Sequence, residues 1–286
     1  MVIPILLVLA SGLCHAVWNL FTKRSINKGV FLWTIMMIPS VLLLPVLIVE
    51  LWKTPLSLGA YGLLLLSVLL QGVYSWLLSK TYELGDLSQI YPIMRGTSTL
   101  LVPLIGVIFL KESLSLFGWT GIILMIGGFF VLSGISVGHK QTANRQPQNL
   151  KPFALALLVG LCTTSYVFVD KLNLGNISPL ALLEVTNIGF VAGLTPLVLR
   201  SKALKREWKT NRNTILLGAF LNPGSYLLFL FAMQQAPMAH ISPLREIGTV
   251  FATFLGVMLL KEQQGLRRIT TSIIIFCGIL MIGVLG

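Results

Sequence analysis

Apolar runs long enough to cross a bilayer fill almost the whole of this chain, and nothing of domain size lies between them. A membrane span needs roughly 17–25 largely apolar residues. Ten runs meet that measure, at about 2–22, 30–50, 58–80, 88–109, 116–136, 152–170, 178–199, 213–233, 240–260 and 266–285. The longest intervening stretches are roughly 137–151 and 200–213. Hydrophobic residues make up 55% of the chain and charged residues 10%, which no soluble core of this length can absorb. In lipid every backbone polar group needs an internal partner, so the natural spanning form is the helix. The runs are continuous, without the alternation of a membrane barrel. The expectation is an all-α polytopic membrane protein with ten transmembrane helices, any chemistry taking place between them.

The net charge of +12 suggests nucleic acid in a soluble protein. Here no aromatic-interleaved basic groove accompanies it, and the basic residues fall between apolar runs, which fits the positive-inside bias instead. With ten spans, sixteen Lys and Arg residues collect on one side and three (Lys53, Lys111, Lys171) on the other. The first side, carrying Lys202–Arg212, is expected in the cytoplasm of a cell-membrane protein, with both termini outside. Cys14, Cys162 and Cys277 lie inside apolar runs and give neither a disulfide framework nor metal spacing. Residues 1–22 lack a basic n-region and are interrupted by His15, Trp18 and Asn19, so they read as a retained span.

The chain also repeats itself. At a shift of 150 positions Arg95 meets Arg245, Thr99 meets Thr249, Leu110-Lys111-Glu112 meets Leu260-Lys261-Glu262, and Gly128 meets Gly278. At 148, Gly12-Leu13-Cys14 meets Gly160-Leu161-Cys162; at 152, Tyr74 meets Tyr226. The order never changes. This divides the chain into a first five-helix repeat (1–136), a connecting loop (137–151) and a second five-helix repeat (152–286). Five is odd, so the second copy starts on the opposite side of the membrane and the repeats are inverted. Secondary transporters are built this way, because exchanging the conformations of the two halves turns outward-open into inward-open.

The segments Tyr91-Pro92-Ile93-Met94-Arg95-Gly96 through Leu110-Lys111-Glu112-Ser113-Leu114, and Ser242-Pro243-Leu244-Arg245 through Leu260-Lys261-Glu262, resemble the drug/metabolite transporter superfamily, EamA-type. His15-Ala16-Val17-Trp18-Asn19 is similar to the first-helix pattern of some members. The resemblance covers nearly the whole chain. It implies a secondary carrier of metabolites, amino acids, drugs, sugars or nucleotide sugars, with a central cavity lined by the first, third, fourth, sixth, eighth and ninth helices. It also implies cytoplasmic termini, against the charge count.

Ionisable groups inside spans are expensive and face a cavity or a partner. Arg95 and Arg245 recur at equivalent positions and are candidate substrate ligands or gates; the alternatives are an internal ion pair or snorkelling to the interface. A planar fork of donors suits a carboxylate or phosphate, which points to an anionic or zwitterionic organic solute. Glu246 and Glu184 are candidate coupling groups, or else internal partners of the arginines. His15 is a proton relay or a packing residue. Trp18, Tyr74, Tyr91, Tyr166 and Tyr226 line a cavity or anchor at the interface. Asp170 and Lys171, ending the sixth run, read as an interfacial pair. Pro92 and Pro243 open the two arginine helices, as hinges or as ordinary first-turn prolines. Gly189 and Gly193 form a G-x-x-x-G for close helix contact.

Gly134–Gly138 matches G-x-S-x-G but ends a hydrophobic helix, where no nucleophile elbow forms. There is no metal-binding or phosphate-cradling motif, so no cofactor is expected. An intramembrane enzyme needs a convergent nucleophile and base that the sequence does not offer; a lipid flippase stays as the nearer alternative. The expected partners are a small-molecule substrate, membrane lipid and a coupling proton or exchanged solute, with no nucleic acid. Oligomeric state stays open.

Overall fold

The computed structural model describes residues 2–84, 87–133, 150–260 and 265–286, with side chains described outside 87–89, 253, 255–260 and 265–268. All the described regular structure is helical. The first half holds α1 (Val2–Arg24), α2 (Lys28–Lys53), α3 (Leu58–Leu84), α4 (Leu87–Phe109) and α5 (Leu116–Ser133). The second holds α6 (Lys151–Asn173), α7 (Pro179–Ser201), α8 (Leu204–Gln235), α9 (Met238–Leu244), α10 (Ile247–Leu260) and α11 (Gly265–Leu285). Eight of these are each long and apolar enough to span a membrane. The ninth crossing is made in two pieces, α9 and α10, and α11 makes the tenth.

The packing is that of a protein dissolved in lipid. Leu42, Leu65, Ile108, Ile123, Phe220 and Phe254 lie exposed, while Ser11, Ser67, Ser75 and Ser225 are fully buried. Small residues let helices approach closely where lipid and protein are equally apolar. Ser11 Oγ donates to the carbonyl of Ser225 (2.6 Å) and Ser225 Oγ to that of Ser11 (2.8 Å), joining α1 to α8. Gly189 and Gly193 of α7 lie against Val68, Gly72 and Ser75 of α3, so the G-x-x-x-G serves the fold itself.

The halves interlock by a two-fold pattern: α1 packs on α8 as α6 packs on α3, and α1 meets α9 and α10 as α6 meets α4. Three pairs of equivalent helices touch each other, and all three run antiparallel. In α5 and α11, Gly121 faces Gly278 whereas Gly128 faces Ile275 and Thr271. In α2 and α7, Trp33 Nε1 donates to Thr195 Oγ1 (2.9 Å), Ser40 Oγ to Glu184 (2.7 Å) and Ser178 N to Glu50 (2.6 Å). In α4 and α9–α10, Gly106 meets Ala239 while Arg95 meets Glu246. An axis along the membrane normal would leave equivalent helices parallel; antiparallel pairs require inverted halves.

Three helix starts, whose first N–H groups have no partner within the helix, are closed by carboxylates from other elements. Glu50 accepts from Ser178 at α7, Glu207 from Asn27 at α2 (2.8 Å), and Glu112 from Met238 and Ala239 at α9 (2.9 and 2.8 Å). The Lys-Glu motif explains itself here. Lys111 takes a left-handed φ of 54°, the Glu112 N–H returns to Gly106 O (3.1 Å), and the Glu112 carboxylate is aimed at α9.

Two spans differ from the sequence reading. The eighth helix starts at Leu204, not near 213, and bends at Asn211 (φ −116°, ψ 21°). Its first turns carry exposed Lys205, Arg206 and Lys209, so polarity hid a helix that lies before the apolar run. The ninth span, expected continuous over 240–260, breaks at Arg245-Glu246. Pro243 cannot donate to the preceding turn. The backbone there tightens into shorter bonds: Glu246 N to Pro243 O (3.0 Å), Gly248 N to Arg245 O (3.1 Å) and Thr249 N to Glu246 O (2.8 Å).

Candidate functional site

The break in the ninth span places two charged residues between α9 and α10, where the regular helix gives way to shorter backbone bonds. Unwound helices at the repeat interface are where secondary transporters hold their substrates. Glu246 points to α4. Arg95 Nε donates to its Oε2 at 2.8 Å and Arg95 Nη2 pairs with Oε1, a two-pronged ion pair across the repeats. Tyr91, four residues before Arg95, reaches Thr249, one turn beyond Glu246.

Arg245 has a different environment. It is 8% exposed, and its guanidinium lies 4.5 Å from the centre of the Phe229 ring and 5.3 Å from that of Tyr226. Its Nε has no hydrogen-bond partner among the described residues. The repeats explain the asymmetry. Position 96, equivalent to Glu246, is glycine, so α4 offers Arg245 no carboxylate. One arginine of the duplicated pair is neutralised and the other rests on aromatic faces.

Around these charges the aromatic residues form one connected row. Phe190 and Tyr74 have ring centres 6.1 Å apart, Tyr74 and Tyr166 5.2 Å, Tyr166 and Tyr226 6.1 Å, and Tyr226 and Phe229 6.0 Å. On α1, His15 meets the Trp18 ring edge-on at 4.9 Å and stands within electrostatic reach of both arginines. His15 Nδ1 and Trp18 Nε1 are buried without a partner among the described residues. The structure thus gathers His15 and Trp18 of α1, Tyr74 of α3, Tyr91 and Arg95 of α4, Tyr166 of α6, Tyr226 of α8, and Arg245 and Glu246 between α9 and α10. One end of this region is closed where Gly106 meets Met238 and Ala239 and Glu112 caps α9.

Glu184 is not in the group. It is fully buried on α7, where Ser40 Oγ of α2 donates to it, and it forms no ion pair with either arginine. Asp170 and Lys171 do not pair. Neighbours on a helix point about 100° apart, and the two leave in different directions. Asp170 is fully buried and receives the hydroxyls of Ser67 and Tyr226; Lys171 Nζ donates to the carbonyls of Met233 and Ala236 (3.0 Å to the latter). Phe229 escaped the sequence reading, although it stands one turn from Tyr226 on the same face. Pro92 lies inside an unbroken α4, whereas the ninth span breaks just after Pro243, so the two prolines are not placed alike. The G-x-S-x-G segment and His139 fall outside the described residues.

Ten crossings in two inverted halves, with paired charges and aromatic faces at a broken helix between them, define an integral membrane carrier. The profile of the EamA-like transporter family matches residues 2–134 and 150–284, and the chain belongs to that family. It is 30% identical over 209 residues to the glucose uptake protein GlcU of Bacillus subtilis (strain 168), covering 71% of this chain and 69% of that one. It is 26% identical over 212 residues to the probable glucose uptake protein GlcU of Priestia megaterium, with 72% and 71% covered. A protein of known crystal structure superposes with a TM-score of 0.72 at 13% identity, over 99% of this chain and 96% of that one, a likeness of fold. The chain is a membrane transporter of small solutes and not an enzyme.

Proposed function

We propose that this protein is a secondary carrier that moves a neutral, polyhydroxylated solute of monosaccharide size across the cytoplasmic membrane by alternating access. The observation that carries the reading is the self-neutralised Arg95–Glu246 pair set among Trp18, Tyr74, Tyr166 and Tyr226. Aromatic faces suit the C–H face of a sugar ring, and a small number of placed polar groups suits its hydroxyls. Pairing removes Arg95 as a free anion ligand, which weighs against the anionic solute that the sequence suggests. Two relatives are named for glucose uptake, which favours the same class. Inverted halves and a broken ninth span support alternating access.

A second reading keeps the zwitterionic or anionic solute, on the ground that Arg245 has no carboxylate partner among the described residues. Counterflow in liposomes separates the two. Purified protein loaded with unlabelled glucose is expected to take up labelled glucose, with saturation, in preference to glutamate, alanine or lactate. Saturable uptake of one of those acids and none of glucose would reverse the order, and movement of labelled phospholipid without either would leave the flippase.

A further inference from the structure

Asp170 is a charge that the solute site does not use. It is fully buried in α6 and receives two hydrogen bonds, from Ser67 Oγ of α3 to Oδ1 and from the Tyr226 hydroxyl of α8 to Oδ2. Neither donor carries charge. Among the described residues no basic side chain stands at ion-pair distance. Lys171 turns away to the end of α8, where it donates to the Ala236 carbonyl and lies within electrostatic reach of Glu112. The elements against α6 bring little else: α3 contributes Ser67 and, against Tyr166, Tyr74; α4 contributes Arg95, which is held by Glu246; and α8 contributes Tyr226. Tyr166, one turn earlier on α6, completes the surroundings.

An ionised carboxylate so placed is costly, since burial of charge is offset only by pairing or by several hydrogen bonds. Proton binding removes the charge without moving the backbone. A metal cation is a poorer occupant, because four oxygens (the two of Asp170, Ser67 Oγ and the Tyr226 hydroxyl) fall short of the six or so that a hard cation gathers. Resting on the secondary-carrier reading, we infer that Asp170 is the proton-binding site of this protein and that Tyr226 conveys its state to the solute site. The step is carboxylate plus proton to carboxylic acid, reversed on release at the other side. Once protonated at Oδ2, the carboxyl becomes a donor, and the Tyr226 hydroxyl has to turn from donor to acceptor. The ring of Tyr226 lies under the Arg245 guanidinium, so the proton alters how the platform of that arginine is held.

Two measurements on the purified full chain in liposomes test this. Infrared difference spectra taken from acid to alkaline pH are expected to show a carboxylic C=O band that is lost in Asp170→Asn; an unchanged band in that variant overturns the site. In transport, a one-unit acid-outside gradient is expected to drive labelled glucose up to about tenfold accumulation, the limit for one proton per solute. Asp170→Asn is expected to abolish accumulation while keeping glucose counterflow, and Asp170→Glu to restore part of it. Accumulation that survives in Asp170→Asn, that is lost only in Glu184→Gln or Glu246→Gln, or that follows a sodium gradient instead, overturns the inference. Wild-type protein without glucose counterflow defeats the solute reading, and the infrared measurement then still decides on Asp170.

Discussion

Arg95 and Arg245 are the same residue duplicated, and their surroundings have made them different. Arg95 is held by two contacts to Glu246, so its first role is to tie α4 to the break between α9 and α10. Removing one member of a buried pair leaves the other charge stranded, at about 3–5 kcal/mol. Arg95→Met is therefore expected to lower the unfolding temperature of the detergent-solubilised protein sharply, and Glu246→Leu in the same chain to recover most of the loss. A double variant as unstable as the single one would show that the pair is not the main term. Arg245 tells the opposite story. Arg245→Lys keeps the charge but loses the flat contact with Phe229 and Tyr226, a contact worth about 0.5–2 kcal/mol. The half-saturating solute concentration is expected to rise by about tenfold with little change in melting. An unchanged uptake curve would place Arg245 outside the solute path. The sequence displayed both arginines because charge inside an apolar run stands out. Their unequal roles were hidden, since they depend on what the fold sets against each: the Glu246 carboxylate for Arg95, the Phe229 and Tyr226 rings for Arg245.

At the scale of elements, periodicity located nearly every helix, because length and hydropathy alone decide what crosses a bilayer. It missed the break in the ninth span, where an apolar run continues while Pro243 interrupts the hydrogen bonding. It also merged Asp170 and Lys171 into one interfacial pair, since a helix end in sequence says nothing about a neighbouring helix that buries it. The G-x-x-x-G signal was legible as close contact, and the structure supplies the partner. A Cβ on Gly193 would fall on the Gly72 carbonyl and Ser75 Oγ of α3, both in the opposite half. Gly193→Ala is expected to destabilise by about 1–3 kcal/mol through overpacking, read as a lower melting temperature in detergent. Gly127→Ala, on the lipid side of α5 with nothing within 4 Å of the new Cβ, is the matched control and is expected to melt like the wild type. Equal melting of both variants would mean that the α3–α7 crossing yields where the backbone contact says it does not.

The whole molecule has two unlike faces. The connections α1–α2 and α7–α8 share one of them, joined by the bond from Asn27 N to Glu207. That face exposes Lys23, Arg24, Arg200, Lys202, Lys205, Arg206, Lys209 and Arg212, whereas Lys53, Lys111 and Lys171 belong to the other. The C-terminus lies on the other face, where Ser115 Oγ donates to the Leu285 carbonyl (2.8 Å). Basic residues close to span ends are retained on the cytoplasmic side during insertion. Their density between Arg200 and Arg212 exceeds that of any connection on the opposite face. Cytoplasmic termini, which the family resemblance implies, would carry this segment outside. A single cysteine at exposed Thr210, in a chain with Cys14, Cys162 and Cys277 replaced by serine or alanine, decides between the two. The cysteine is expected to resist a membrane-impermeant maleimide on intact cells and to react once the membrane is opened; one at Thr54, on the α2–α3 connection, is expected to react at once. The reverse pattern would put the basic face outside. Asp170 lies near the end of α6 on the less basic face, so that pattern would set it towards the cytoplasm; symport would still run inward, because the proton gradient and not the orientation of the chain sets its direction.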